Sequence, residues 1–273
     1  MTLRLAHISD LHFGRTVPAV VDALVDQLNS QRLDIVVVGG DLTQGARHRE
    51  FAEARDFLDA LTPATLVVPG NHDLPGWAFW NRFLRGYKRY RTYIDADLDV
   101  GRRIGEAGFV GLNTSRRFVN HWDWSNGAVS RRQLDFLEEQ WTDIPEDGLR
   151  VLTLHHPLVP PPGRPGQKLV SNASRVARKA SGLGADLVLT GHLHTTQVQM
   201  VSVRHDVDRN FPVVQTATST SSRLRGHGNG FTVTEWRGSS MTVTTWEWAG
   251  QSFGHKTAVR FARDIAQGWH PID

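Results

Sequence analysis

Cysteine is absent from the 273-residue chain, which excludes disulfides and thiolate metal ligands without fixing the redox compartment. No apolar run reaches the roughly 18 residues that a membrane span needs. The N-terminus enters a strand-like run with no signal-peptide apolar core, so the expected address is the cytoplasm. Internal repeats and long low-complexity linkers are missing too, and a single domain over residues 1–273 is expected. Charge of one sign is scarce: the formal surplus is +3, so basic residues matter only where they cluster. What remains is ordinary for a soluble globular domain, with 40% hydrophobic and 22% charged residues, and the chain is long enough to bury a substantial core.

What is present is a set of polar clusters, each at the end of an apolar run of strand length. The runs are Leu3–Ser9, Asp34–Val38, Ala64–Val68, Val151–Leu154 and Ala185–Thr190. They end in Asp10-Leu11-His12, Gly40-Asp41, Gly70-Asn71-His72-Asp73, His155-His156-Pro157 and Gly191-His192-Leu193-His194. Ligands collect outside the carboxyl ends of parallel strands, so these clusters can meet in one crevice. Carboxylate, imidazole and amide oxygen donors without thiolate suit Mn, Fe, Zn, Co or Ni. In Asp10-x-His12 and His192-x-His194 the spacing of two puts both side chains on one face if the strand continues, a requirement that a turn relaxes. The ligands outnumber the needs of one ion, which argues for two ions about 3.5–4 Å apart sharing a carboxylate. Asp41 is the natural bridge. Asn71 also reads as a left-handed turn residue after Gly70.

The order and spacing of these five motifs, from residue 10 to residue 194, resemble those of the calcineurin-like metallophosphoesterases. The resemblance implies an α/β fold, a four-layer αββα sandwich of two mixed sheets flanked by helices. It also implies two divalent metal ions and a metal-bridging hydroxide that attacks phosphorus. Carried over by residue, the first metal takes Asp10, His12, Asp41 and His194, and the second takes Asp41, Asn71, His155 and His192. His72 protonates the leaving oxygen. The same pattern assigns the metal to His155, two places before Pro157, and leaves His156 as a partner of the ligands or a substrate contact. In the Ser/Thr phosphatase branch a further Asp in the second motif orients the catalytic His. Gly40-Asp41-Leu42-Thr43-Gln44 has none, which disfavours a phosphoprotein phosphatase. The chain looks more similar to the bacterial phosphodiesterase-like branch, which includes cyclic-nucleotide phosphodiesterases.

Between the motifs, apolar residues recur at helical spacing over 17–31 and 47–61, giving strand-helix-strand-helix-strand. His48 reads as solvated. Residues 95–106 read as polar and turn-rich, strand 108–114 follows, and Ser130-x-x-Gln133 is a capping box opening the next helix. From Trp77 to Tyr93, aromatic residues interleave with Arg82, Arg85, Lys88, Arg89 and Arg91, without an acid. This stretch fits a lid over an anionic substrate or a peripheral membrane contact, and equally a core-packing helix whose cationic stems cover apolar surface. Candidate substrate contacts are Trp80 in that stretch, Arg116 and Arg117 after strand 108–114, and Arg223 with Arg225 in the Ser/Arg/Gly-rich run 219–230. That run also reads as a mobile surface loop. His121, Trp122 and Trp124 are read as lining the crevice, whereas His205, His227, His255 and His270 are not read as catalytic. Beyond His194 the alternating Val/Thr/Trp-rich stretches within 197–262 read as antiparallel strands completing the second sheet.

The function expected is hydrolysis of a phosphodiester in a small phosphorylated substrate, with cyclic nucleotides as one class. The alternative is a pyrophosphohydrolase acting on a lipid-linked or nucleotide diphosphate, similar to the UDP-diacylglucosamine hydrolases. A nuclease ranks below both because no nucleic-acid module accompanies the basic aromatic stretch. A non-catalytic scaffold would not need every ligand position filled.

Overall fold

The computed structural model describes residues 2–75, 86–116, 127–224 and 226–272. The chain begins β1 (Leu3–Ile8), α1 (Pro18–Ser30), β2 (Ile35–Val38), α2 (His48–Asp59), β3 (Ala64–Val67). It continues through α3 (Lys88–Tyr93), β4 (Val100–Ile104), β5 (Ala107–Leu112), α4 (Arg131–Trp141), β6 (Leu149–Leu154), α5 (Ala173–Gly182) and β7 (Leu187–Thr190). The remaining strands are β8 (Gln197–Met200), β9 (Pro212–Gln215), β10 (Gly230–Arg237), β11 (Ser240–Trp248), β12 (Phe253–Asp264) and β13 (Gly268–Ile272). One sheet has the order β13-β12-β11-β10-β1-β2-β3 and the other β4-β5-β6-β7-β9-β8.

Both sheets are mixed. β1, β2 and β3 are parallel, and β10 to β13 extend that sheet antiparallel from β1. β5, β6, β7 and β9 are parallel, with β4 and β8 antiparallel at the edges. The sheets face each other across a core that joins Leu3, Leu5, Ile35 and Val37 to Phe109, Val151 and Leu189. Alternate residues of the same strands, Ala6, Ile8, Val36 and Val38, face outward onto Leu24, Leu28, Phe51 and Phe57 of α1 and α2. Two apolar faces explain why β2 reads as an unbroken Ile35-Val-Val-Val38 run. α4 and α5 bring Leu137, Trp141, Val176 and Ala180 to the second sheet, which completes the four-layer αββα sandwich. Among the described residues, no helix is long and apolar enough to cross a membrane.

Three sequence expectations change. β10 to β13 belong to the first sheet, and of the strands after His194 only β8 and β9 complete the second. Alternation specifies which residues of a strand point inward, but not which strand edge receives it. β4 replaces the expected turn-rich stretch; it is an edge strand whose Gly101, Arg102 and Arg103 are exposed, so no apolar face marks it. β13 was not expected either, and it is an edge strand with Pro271 in it, a position where proline is tolerated. The Ser130–Gln133 capping box is present, with Gln133 N donating to Ser130 Oγ at 3.3 Å and Ser130 N to Gln133 Oε1 at 2.8 Å.

Of the 77–93 stretch, residues 77–85 lie outside the described residues. Tyr87 and Tyr90 are buried; their hydroxyls donate to Ser115 O at 2.7 Å and Val67 O at 3.1 Å. Phe51 stacks on Tyr93 with ring centroids 6.2 Å apart. The described part therefore packs α3 onto α2.

At the end of the sandwich opposite the motif loops, Asp186 precedes β7. Its buried carboxylate accepts from Arg150 N at 2.8 Å, Trp269 Nε1 at 2.8 Å and Arg263 Nη1 at 3.2 Å, fastening β12 and β13 to the second sheet. Breaking a buried ion pair from one side costs about 3–5 kcal/mol. Asp186→Ala is expected to lose that much stability in urea unfolding; a loss below about 1 kcal/mol would contradict the clamp.

Candidate metal centre

The motif loops continue the backbone ladder past the ends of β1 and β2. Asp10 N donates to Gly40 O at 2.9 Å, His12 N to Asp41 O at 3.0 Å and Phe13 N to Leu42 O at 2.8 Å. Here the strand geometry ends. Asp10 (φ 53°), His12 (52°), Asp41 (53°), His192 (74°) and His194 (57°) all adopt left-handed backbone, and among the described residues the only other non-glycine that does so is Ala46. A non-glycine residue in this region costs roughly 1–2 kcal/mol and persists where its surroundings fix it, most often at functional sites. The spacing of two in both His motifs is thus a pair of left-handed turns rather than one face of a strand.

These turns bring all seven expected ligands together. Asp10 Oδ1 lies 3.2 Å from His194 Nε2, and His194 Nε2 lies 3.1 Å from His12 Nε2. Asp41 Oδ2 stands 3.9 Å from His12 Nε2 and 3.3 Å from His155 Nε2. Asn71 Oδ1 lies 3.2 Å from His155 Nε2 and 3.0 Å from His192 Nδ1. The acid and imidazole atoms form overlapping groups, Asp10–His12–His194, His12–Asp41–His72 and Asp41–His155–His192, each within 4.8 Å. Asp41 belongs to two of them.

The donor chemistry fits cations. His155 Nδ1 donates to Gly39 O at 2.8 Å and His194 Nδ1 to Arg223 O at 3.1 Å. A carbonyl only accepts, so these nitrogens carry a proton and it is Nε2 of each ring that faces the cluster, the atom that offers a lone pair to a cation when the ring is neutral. Asp10 Oδ2 is occupied by Ser9 Oγ at 2.6 Å and His192 N at 2.9 Å, whereas buried Asp10 Oδ1 faces His194 Nε2. Carboxylate oxygens and ring Nε2 atoms converge there, a donor set that a cation suits.

Electrostatics point the same way. Burial acts to raise Asp10 and Asp41, yet His194 beside Asp10, and His155 and His72 beside Asp41, hold both carboxyls below their usual range. Burial acts to lower His155, but Asp41 and then Asp10 lift it to about 9; the field there favours positive charge. At His12 burial wins over both carboxylates and lowers the ring to about 4.

His72 stands at the edge of the cluster, its ring centroid 4.9 Å from that of His12. Its backbone N donates to Asp41 Oδ1 and its Nδ1 to Gln44 O, both at 2.8 Å. The backbone carbonyl of Gln44 therefore orients this ring in a motif that lacks the second Asp. Asp73 went unassigned from sequence, although it lies in the quoted motif. Its buried carboxylate accepts from Gly70 N at 2.9 Å, Leu42 N at 3.2 Å, Thr43 N at 2.9 Å and Thr43 Oγ1 at 3.0 Å. It ties the Asp41 loop to the Asn71 loop. Burial, then the Asp41 charge, push Asp73 up to about 6 against those bonds. Between them, a Cβ on Gly70 would collide with Asp41, so only glycine lets the loops approach this closely.

The expected substrate contacts divide. Arg223, half-buried, reaches Gln44 Oε1 with Nη1 at 3.4 Å. His156 is buried behind the cluster, its ring centroid 4.7 Å from that of His192 and its Nδ1 accepting from Thr114 Oγ1 at 2.6 Å. Arg116 is exposed on the wall of a cavity of about 1050 Å³ that none of the seven ligand residues lines. Trp80, Arg117, His121, Trp122, Trp124 and Arg225 lie outside the described residues.

A sequence profile described as calcineurin-like phosphoesterase matches residues 3–196, most of the chain and all five motifs. The chain belongs to that family. Among named relatives, it is 41% identical over 80 residues to the glycerophosphodiester phosphodiesterase GpdQ of Enterobacter lignolyticus, covering 25% of this chain and 29% of that protein. It is 27% identical over 222 residues to the 3',5'-cyclic adenosine monophosphate phosphodiesterase CpdA of Escherichia coli K12, covering 79% of this chain and 70% of that one. The fold is similar to that of purple acid phosphatase PPD1 from yellow lupin, with TM-score 0.72 at 12% identity over 97% of this chain and 54% of the lupin chain.

Removing the Asp73 carboxylate strands three backbone N–H groups, and each unsatisfied buried group costs roughly 1–3 kcal/mol. Asp73→Ala is expected to lose at least about 2 kcal/mol in chemical unfolding; wild-type stability would show that the loops are held some other way.

Proposed function

We propose that this chain is a dinuclear-metal phosphodiesterase. The observation that carries the reading is the buried Asp41 carboxylate, which stands between two sets of inward-facing donor atoms. In this reading Asp10, His12, Asp41 and His194 hold one ion, and Asp41, Asn71, His155 and His192 hold the other. Oxygen and imidazole donors without thiolate suit Mn, Fe or Zn. When bound, such a pair supplies a nucleophile at neutral pH and neutralises charge on the phosphoryl oxygens. The chain's own groups do the rest. Gly39 O and Arg223 O keep two ligand rings in the metal-ready tautomer, and Asp73 keeps the Asp41 and Asn71 loops in register. Gln44 O holds the Nδ1 proton of the His72 ring, and in its imidazolium form that ring can pass an Nε2 proton to the leaving oxygen.

The names of two relatives, a cyclic-nucleotide phosphodiesterase and a glycerophosphodiester phosphodiesterase, support a small phosphodiester as substrate. The lipid-linked pyrophosphate reading drew on 77–93, and the described aromatic residues of that stretch, Tyr87, Tyr90 and Tyr93, are engaged in packing. We also propose that residues 1–273 act as one domain, because β10 from the C-terminal part pairs directly with β1.

The test is hydrolysis of bis-p-nitrophenyl phosphate by protein loaded with Mn, Fe or Zn. Turnover should vanish on chelation and return with metal, and Asp41→Ala should lose both metal binding and turnover. Activity that persists in a metal-free preparation would overturn the reading. His72→Ala should keep its metals and lose about 10²–10⁴-fold in turnover of alkyl esters, with a smaller loss on p-nitrophenyl esters, whose leaving group needs little protonation. Equal loss on both would reject the proton-donor role.

A further inference from the structure

A segment that bonds the β1 ligand loop lies beyond residue 196, where the family match ends. Thr216 to Ser221 reads Thr-Ala-Thr-Ser-Thr-Ser and is fully buried, not the surface loop that its composition suggests after Ser219. The hydroxyls of Thr218 and Thr220 are directed at the β1 ligand loop. Thr218 Oγ1 donates to Asp10 O at 2.5 Å and Thr220 Oγ1 to Leu11 O at 2.7 Å. Ser219 N donates to Ser9 O at 3.0 Å, and Ser222 donates to Arg15 O from its backbone at 2.8 Å and its hydroxyl at 3.0 Å. At the next residue, Arg223 O accepts the His194 Nδ1 proton.

Residues 10–13 are thus strung between two rails. Their N–H groups bond the Asp41 loop, while the Asp10 and Leu11 carbonyls meet the threonine hydroxyls. Leu11 stands between left-handed Asp10 and His12, and short side-chain donors meet the Asp10 and Leu11 carbonyls. Burial alone does not produce such bonds: the hydroxyls of Thr232 and Thr234 on β10 are also buried and have no hydrogen-bond partner.

We infer that Thr218 and Thr220 are positioning residues of the metal centre, holding Asp10 and His12 in the left-handed geometry that binds the first ion. The inference rests on the reading of Asp10, His12 and His194 as ligands. Thr→Val keeps the shape and removes one O–H. Loss of an outer partner of a metal ligand typically lowers metal affinity about 10–100-fold.

The experiment is a Co²⁺ titration followed by visible absorption, with folding checked by near-ultraviolet circular dichroism. Thr218→Val and Thr220→Val should each bind Co²⁺ about 10–100-fold more weakly and shift its absorption bands. Thr218→Ser and Thr220→Ser should restore both, and Thr232→Val should match wild type. Folded valine variants with wild-type affinity and spectrum would overturn the inference. Ser222 is exposed, so Ser222→Ala decides the matter if the valine variants fail to fold. It should weaken Co²⁺ about threefold, as expected for one modest hydrogen bond, and unchanged affinity there would be overturning. Asp41→Ala separates the two levels. If it loses Co²⁺ while the threonine variants do not, only the positioning role falls; if it binds Co²⁺ as wild type does, the ligand assignment falls and this inference with it.

Discussion

Asp10 and Asp41 are carboxylates with 0% and 2% exposure, and a buried charge is tolerable only when it is hydrogen-bonded and neutralised. One oxygen of each is committed to the protein. Asp10 Oδ2 takes Ser9 Oγ and His192 N, and Asp41 Oδ1 takes His72 N. The other oxygen of each is turned toward the imidazoles, of which His155 and His194 are fixed by backbone carbonyls. Neutralisation is therefore reserved for the space between the two groups, and the loops around that space are shaped to keep it so.

That shape is locally unfavourable and globally enforced. Five of the proposed ligand residues occupy left-handed backbone, and none would hold that conformation in an isolated peptide. Three supports hold them: the ladder between the β1 and β2 loops, the Asp73 carboxylate across the Asp41 and Asn71 loops, and the Thr218–Arg223 segment behind the β1 loop and His194. The two sheets meet at the centre where His155 from the second bonds Gly39 O of the first. The Asp186 clamp at the far end serves the same registration.

Much of the centre was legible in the sequence because its donors are side chains of unusual type at the ends of apolar runs. Asp10, His12, Asp41, Asn71, His155, His192 and His194 could be named without coordinates, and the structure gathers them. The parallel strands were legible for the same reason of contrast, since two-sided burial leaves an unbroken apolar run such as Ile35–Val38. What escaped carries no side-chain signature. The Gln44, Gly39 and Arg223 contributions are backbone carbonyls, equally available in any residue. Asp73 and Thr218 are common polar residues whose partners are remote, 30 and 208 positions away for Thr43 and Asp10. β4 and β13 are exposed edges without an apolar face. The destination of β10 to β13 depends on pairing, which alternation does not encode.

The central claim is that Asp41 joins two cation sites. Anomalous diffraction from Mn-loaded crystals, collected on both sides of the manganese absorption edge, tests it most directly. Two peaks are expected, one beside Asp10, His12 and His194 and one beside Asn71, His155 and His192, with Asp41 between them. A single peak, or peaks remote from Asp41, would contradict the account.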